Sequence, residues 1–454
     1  MPSSSSSKTD MLHGALTPSL LAFAIPLIAS GILQQSFNAV DVAVIGRYAD
    51  STALAAVGSN GPLVNILVNL FIGISIGANV VIANYIGRNN SNGIRAGIAT
   101  ASALSLFSGA ALLVIGQILA GPILEWMGAP ADVISLAAEY LEIYFLGMPF
   151  IMIYNFGSAI LRSMGDTRRP FYSLLVAAIV NVGLDFLFVG GLGMGVAGVA
   201  AATVIANCVN AAIIIVWLMK EKEPYRLEVR RLRISGNELK KMLQIGIPAG
   251  LQGMVFSGAN LFIQAAINKY GADAIAGSSA SLTYESYCYF IIAAFSQATV
   301  AFVSQNYGAG QHERCRKIVA HSMMLSVIFT FIATELITLT AADCLSLISS
   351  DPNVIAFGVE RMHTVLMFQV LACSYEITGS AMRGLGNSMT PMILTVFGTC
   401  VLRLVWIYTV NAHYHQFDVL LCIYPITWVI TGTMVVAAYL RTAKRRLSGN
   451  RRIV

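Results

Sequence analysis

The sequence predicts an all-α integral membrane protein of twelve transmembrane helices, arranged as two six-helix bundles related by a pseudo-twofold axis. Three observations predict it. Only 11% of the 454 residues are charged and 56% are hydrophobic, with a mean hydropathy of +0.72, whereas soluble domains carry about 25% charged residues. Apolar stretches near the roughly 20 residues that cross a bilayer recur along the whole length. A shift of 221–222 residues superimposes the two halves of the chain.

The first observation sets the class. Lipid offers the backbone no hydrogen bonds, so spanning segments are helices or strands of a closed barrel. Ala211–Leu218 and Ser326–Leu339 are largely apolar and lack the alternation of barrel strands. Helices are expected near 17–40, 54–84, 95–120, 133–156, 170–190 and 195–219 in the first half. Those of the second half fall near 241–264, 275–305, 316–342, 355–380, 391–411 and 418–441. Turn chemistry marks the gaps at Gly128-Ala129-Pro130, Gly190-Gly191, Asp351-Pro352-Asn353 and Gly384-Leu385-Gly386-Asn387. The lobes are therefore expected at 1–222 and 241–454, with a cytoplasmic linker at 223–240. Met1–Asp10 is a serine-rich polar tail without the basic region of a signal peptide, so the first apolar segment is expected to be retained.

The basic residues set the orientation. All but four of the 28 Lys and Arg residues fall on one side of this topology, the exceptions being Arg47, Lys269, Arg361 and Arg403. By the positive-inside rule both termini are cytoplasmic, which requires an even number of spans. The net charge of +6 thus reflects topology. The basic 220–241 stretch is expected to contact anionic lipid and not nucleic acid. The seven Cys are scattered, without the spacing of a disulfide framework or a zinc site.

The repeat pairs backbone landmarks. Ala24-Ile25-Pro26 matches Gly246-Ile247-Pro248, Asn38 falls on Asn260, and Asn84-Tyr85-Ile86-Gly87 matches Gln305-Asn306-Tyr307-Gly308. Arg162-Ser163-Met164-Gly165-Asp166 before Pro170 matches Arg383-Gly384-Leu385-Gly386-Asn387 before Pro391. Each repeat holds an even number of spans, so both insert the same way up and the substrate route is expected between them. The prolines of the first and seventh helices, Pro26 and Pro248, remove a backbone hydrogen bond and are candidate hinges.

The paired Arg-x-x-Gly motifs and the two Ile-Pro pairs resemble the MATE family (multidrug and toxic compound extrusion) over roughly residues 15–440. Asp41, Asn181 and Asp185 resemble its DinF-like bacterial branch. The resemblance implies a secondary antiporter of the bacterial inner membrane. It would export cationic amphipathic compounds in exchange for H⁺ or Na⁺, with no cofactor and no enzymatic activity, and it is expected to act as a monomer.

Ionisable groups inside spans are functional candidates by default. Asn181 and Asp185 lie four residues apart, hence on one helix face. With Asp41 and Thr203, which have counterparts in the DinF-like pattern, they form a candidate ion-coupling set. An oxygen-only set suits a hard cation such as Na⁺. Equally, two close carboxylates in a low dielectric cannot both remain charged without a counterion, so one can hold a proton. The alternative is a static hydrogen-bonded network packing three helices together.

For substrate, a tolerant cavity needs polar and aromatic groups. Gln34, Phe37, Asn38, Tyr144 and Asn155 are the candidates in the first half. Asn260, Gln264, Tyr284 and Tyr287 are those of the second. Glu285 and Glu376 could attract a cation there, with Arg403 a candidate counter-charge for one of them.

Other signals are weak. Gly193 to Gly198 fits GxGxxG but follows a membrane helix and not a strand, Gly73-x-x-x-Gly77 reads as helix packing, and His413 with His415 makes a poor metal site. Two rival functions remain. A flippase for lipid-linked oligosaccharide or precursor would want a basic cavity for phosphate. An integral-membrane transferase would want a catalytic constellation at an interface.

Overall fold

The computed structural model of the chain describes residues 8–48, 51–126 and 131–447. The Gly128-Ala129-Pro130 turn and the basic residues Arg451 and Arg452 lie outside the described residues. No strand occurs among the described residues. The first half comprises α1 (Leu16–Tyr48), α2 (Ser51–Gly87), α3 (Ser91–Trp126), α4 (Ala131–Leu146), α5 (Met148–Ser163), α6 (Arg168–Asp185) and α7 (Gly195–Met219). A π-helical stretch, Phe186–Gly191, prolongs α6.

The second half opens with α8 (Gly236–Ile267), α9 (Ala272–Gly308), α10 (His312–Leu339) and the short α11 (Ala341–Ser346). Next, α12 (Pro352–Arg361) runs through the π-helical Met362–Leu366 to α13 (Ala372–Gly384). Similarly, α14 (Met389–Thr395) runs through the π-helical Val396–Val401 to α15 (Leu402–Tyr408) and α16 (Val410–Tyr414). The chain finishes with α17 (Phe417–Leu421) and α18 (Ile423–Leu447).

Ten of these stretches are long and apolar enough to cross a bilayer, eleven when the α4–α5 pair counts as one span. That pair bends by 47° where a single helix was expected. Gly147 sits at the break and Pro149 in the first turn of α5, so a main-chain donor is missing where the helix turns. The remaining expected span is α8. Its 32 residues run about 48 Å at 1.5 Å per residue, ample for a bilayer. Gln244, Gln252, Ser257, Asn260 and Gln264 dilute its apolar character.

The chain forms two compact units: Met1–Thr9 with Ala29–Gly250, and Asp10–Ile28 with Leu251–Val454. A division at the linker would differ, because the opening stretches of α1 and α8 each belong with the other half of the sequence. In the second unit, Leu20, Phe23 and Ala24 of α1 are buried in a core with Ile292, Phe295 and Phe302. Phe23 meets Phe302 edge-on at 5.5 Å. In the first unit, α8 lies so close to α2 that a Cβ on Gly73 would strike the Gly250 backbone. One on Gly246 would strike Ile74, and one on Gly77 the Met242 carbonyl. Small residues permitting close backbone approach explain the Gly73-x-x-x-Gly77 spacing.

The Arg-x-x-Gly repeat has one geometry in both units. Gly165 and Gly386 take φ of +86° and +82°, a left-handed conformation that favours glycine at a helix end. Asp166 N donates to the Leu161 carbonyl at 3.0 Å, and Asn387 N to that of Met382 at 2.8 Å. Each side chain then starts the next helix: Asp166 Oδ1 accepts from Arg169 N at 3.1 Å, and Asn387 Oδ1 from Thr390 N at 3.3 Å. The motif is a stop signal joined to a start signal.

Candidate functional site

Three helices of the first unit bring the predicted acid cluster together. Asp41 comes from α1, Asn181 and Asp185 from one face of α6, and Thr203 from α7. Asp41, Asn181 and Asp185 are 8%, 4% and 0% exposed. The Asp41 carboxylate lies within side-chain hydrogen-bonding reach of Asp185, Thr203 and Asn181. Even so, Asp41 Oδ1, both Asp185 oxygens, Asn181 Nδ2 and Thr203 Oγ1 have no well-formed hydrogen bond among the described residues.

This is convergence without mutual satisfaction. A fully bonded network would contribute stability. Leaving a buried polar atom unpaired costs about 1–3 kcal/mol, and more when it is charged. Two buried carboxylates facing one another have the chemistry to hold a proton or a hard cation between their oxygens. The π-helical Phe186–Gly191 begins directly after Asp185, and such turns recur at functional positions.

Two tyrosines of α4 line the same place. The Tyr140 and Tyr144 rings stack at 5.8 Å, and both are within electrostatic range of Asp41. Tyr144 was expected among the cavity groups. Tyr140 was not, although its spacing of one turn from Tyr144 places both on one helix face.

The acids of the second unit are differently employed. Arg361 Nε donates to Glu285 Oε1 at 2.6 Å and Nη2 to Oε2 at 3.0 Å. Ser281 Oγ adds a hydrogen bond to Glu285 Oε1 at 3.2 Å, and Gln369 Nε2 donates to the Glu285 carbonyl at 3.0 Å. Glu285 is thus electrically closed by Arg361, not by Arg403 as the sequence allowed. Tyr289 donates to Glu376 Oε1 at 3.2 Å. Arg403 instead lies against rings, 4.5 Å from the Tyr424 centroid and 5.5 Å from that of Phe256.

The other candidates divide between local partners and open positions. Asn155 donates to the Ile151 carbonyl at 2.9 Å, Gln264 to Asn268 at 3.0 Å, and Tyr284 to the Cys344 carbonyl at 2.7 Å. Gln34, Asn38 and Asn260 are exposed on the bare chain, while Phe37 and Tyr287 are half-buried. Pro26 and Pro248 sit inside α1 and α8.

Comparison with known proteins agrees with this architecture. The MatE family model matches residues 26–187 and again residues 248–409, two matches offset by 222 residues. A relative from Bacillus subtilis, "Probable multidrug resistance protein YoeA", is 29% identical, with 88% of each chain covered. A "FAD transporter" from Shewanella oneidensis is 26% identical over 92% of this chain and 94% of its own. A solved outward-facing multidrug resistance MATE family transporter of the MOP superfamily has a TM-score of 0.90 at 22% identity, covering 98% of this chain and 99% of that one. With the family model matching in both halves of a multi-pass α-helical membrane protein, the chain belongs to the MatE family of transporters.

Proposed function

We propose that this protein exports cationic amphipathic organic compounds across the bacterial inner membrane, in exchange for H⁺ or Na⁺, by alternating access. Asp41, Asn181, Asp185 and Thr203 take the coupling ion, and both termini lie in the cytoplasm. The observation that carries the reading is the buried acid pair: Asp41 and Asp185 face one another, and Asp41 Oδ1 and both Asp185 oxygens lack a well-formed hydrogen bond among the described residues. A static packing network would be expected to satisfy those atoms.

The working cycle follows from electrostatics. With its carboxylates charged, the cluster attracts an organic cation in a low dielectric. Entry of H⁺ or Na⁺ neutralises Asp41 and Asp185, weakens that attraction and favours release outward. Pro26 and Pro248 interrupt the hydrogen-bond ladders of their helices, so bending there is less costly. Tyr144, Phe37, Tyr287 and the amides Gln34, Asn38 and Asn260 offer faces and polar edges to varied ligands.

The test uses purified protein in liposomes, with ΔpH and Na⁺ gradients imposed separately and ethidium as the probe. Uptake or efflux driven by one gradient is the expected result. Transport under neither gradient overturns antiport. The Shewanella relative is named for FAD, an anionic nucleotide, so FAD belongs in the same assay. FAD transport without ethidium transport would replace the cation reading.

A further inference from the structure

The 221–222-residue shift between the two repeats carries the acid cluster of the first unit onto a short stretch of the second. Asp41 falls on Ile263; at the 221–222 shift Asn181 falls on Leu402 or Arg403, and Asp185 on Trp406 or Ile407. Where one repeat buries two carboxylates, the other buries a guanidinium.

Arg403 is 1% exposed, yet its Nη1 and Nη2 have no hydrogen-bond partner among the described residues. Among the described residues its one hydrogen bond is a long donation from Nε to Thr427 Oγ1 at 3.5 Å. The Tyr424 and Phe256 rings contribute cation–π attraction, but they leave the outer edge of the guanidinium without acceptors. Arg361 shows what a satisfied arginine looks like in the same unit. It too faces Tyr424, at 5.3 Å, but holds both oxygens of Glu285. The Tyr424 ring therefore lies beside one neutralised cation and one that is not. Of the two acids expected to face Arg403, Glu285 is paired with Arg361, and Glu376 accepts from Tyr289 and makes no ion pair with Arg403 among the described residues.

We infer that Arg403 is the anchor of an oxyanion subsite, which takes a carboxylate carried on an aromatic body. The planar fork of two unfilled N–H edges matches a carboxylate in bidentate geometry. Tyr424 and Phe256 supply faces for the ring that bears it; Arg403 is itself enclosed, so the ligand reaches the guanidinium by moving one of these half-buried rings aside. The subsite belongs to the second unit alone. It concerns equilibrium binding, so it stands or falls separately from ion-coupled cation export.

The test compares 2-naphthoate with its neutral analogue 2-naphthamide, binding to the purified full chain in detergent without any gradient. Wild type is expected to prefer the carboxylate at least tenfold. Arg403→Gln is expected to bring the two within twofold while leaving ethidium affinity unchanged, and Arg403→Lys to keep part of the preference. Equal binding of both probes to wild type overturns the assignment, as does an undiminished preference in Arg403→Gln. Should Arg403→Gln fail to fold, 4-benzoylbenzoate photolabelling of wild type decides the matter. Labelling of peptides containing Phe256 or Tyr424, protected by excess 2-naphthoate, supports the subsite, and labelling elsewhere refutes it.

Discussion

Replacing Glu285 by Gln separates two roles that a buried membrane acid can have. If Glu285 is an architectural anion, the substitution strands Arg361, whose side chain is 3% exposed, without a counter-charge. Two charge-assisted hydrogen bonds, at 2.6 and 3.0 Å, lose their ionic character. At about 1.5–3 kcal/mol each they suggest a cost of roughly 3–6 kcal/mol. Breaking a buried ion pair by removing one partner costs about 3–5 kcal/mol, so we expect about 4 kcal/mol. At about 2–4 °C per kcal/mol for a unit of this size, the Tm should fall by about 8–16 °C. The assay is thermal unfolding of purified protein followed by tryptophan fluorescence, with ethidium binding measured on the same samples. The double variant Glu285→Gln/Arg361→Gln should recover at least half of the loss, since neither charge is then left alone. A Tm within about 2 °C of wild type, together with a tenfold loss of ethidium affinity, would refute this reasoning and make Glu285 a substrate contact.

Asp41→Asn and Asp185→Asn should each abolish gradient-driven ethidium efflux in liposomes, and wild-type rates in both would sink the coupling assignment. Gly73→Leu places a side chain where the Gly250 backbone runs, and overpacking of this kind typically costs about 1–3 kcal/mol or more; Tm and monodispersity on size exclusion report it. Outside the membrane, burial lifts the Glu221 carboxyl, but hydrogen bonds from Lys8 and Arg169 outweigh it and hold the group below the usual carboxylate range. Its pairing then adds stability that is complete above the ordinary glutamate value and is lost as pH falls through the lowered one. Glu221→Gln should therefore cost about 1 kcal/mol at neutral pH and flatten the drop in Tm on acidification; an unchanged acid limb contradicts it.

Much of this was legible because lipid simplifies the code. Asp41, Asn181 and Asp185 stand out in apolar runs, and the spacing of Asn181 and Asp185 fixes their shared face before any packing is known. The Arg162 and Arg383 motifs were equally plain, as local signals whose chemistry lies within a few residues. What escaped was long-range or geometric. Glu285 and Arg361 are 76 residues apart and meet only when α9 packs against α12, so the sequence offered only Arg403 as a counter-charge for one of the acids. The π-helical stretches at Phe186–Gly191 and Val396–Val401 each add a residue to a turn. Beyond them, a wheel drawn at 3.6 residues per turn assigns the wrong face. Tyr140 is recognised only from its stacking on Tyr144 and its nearness to Asp41, which no local sequence signal encodes.

The exchange of helix openings between the units has a consequence for how the protein is made. The first unit is not chemically complete when the ribosome has finished α7, because residues up to Gly250 belong to it. The second unit includes Asp10–Ile28, which is synthesised more than two hundred residues before the rest of that unit. On this division neither half of the sequence carries the whole of its own unit. Two genes split at the 223–240 linker would yield fragments that each display an unclaimed stretch and lack a needed one. They should mature only by finding each other in the bilayer, whereas a cut that respects the exchange is impossible in a single linear chain.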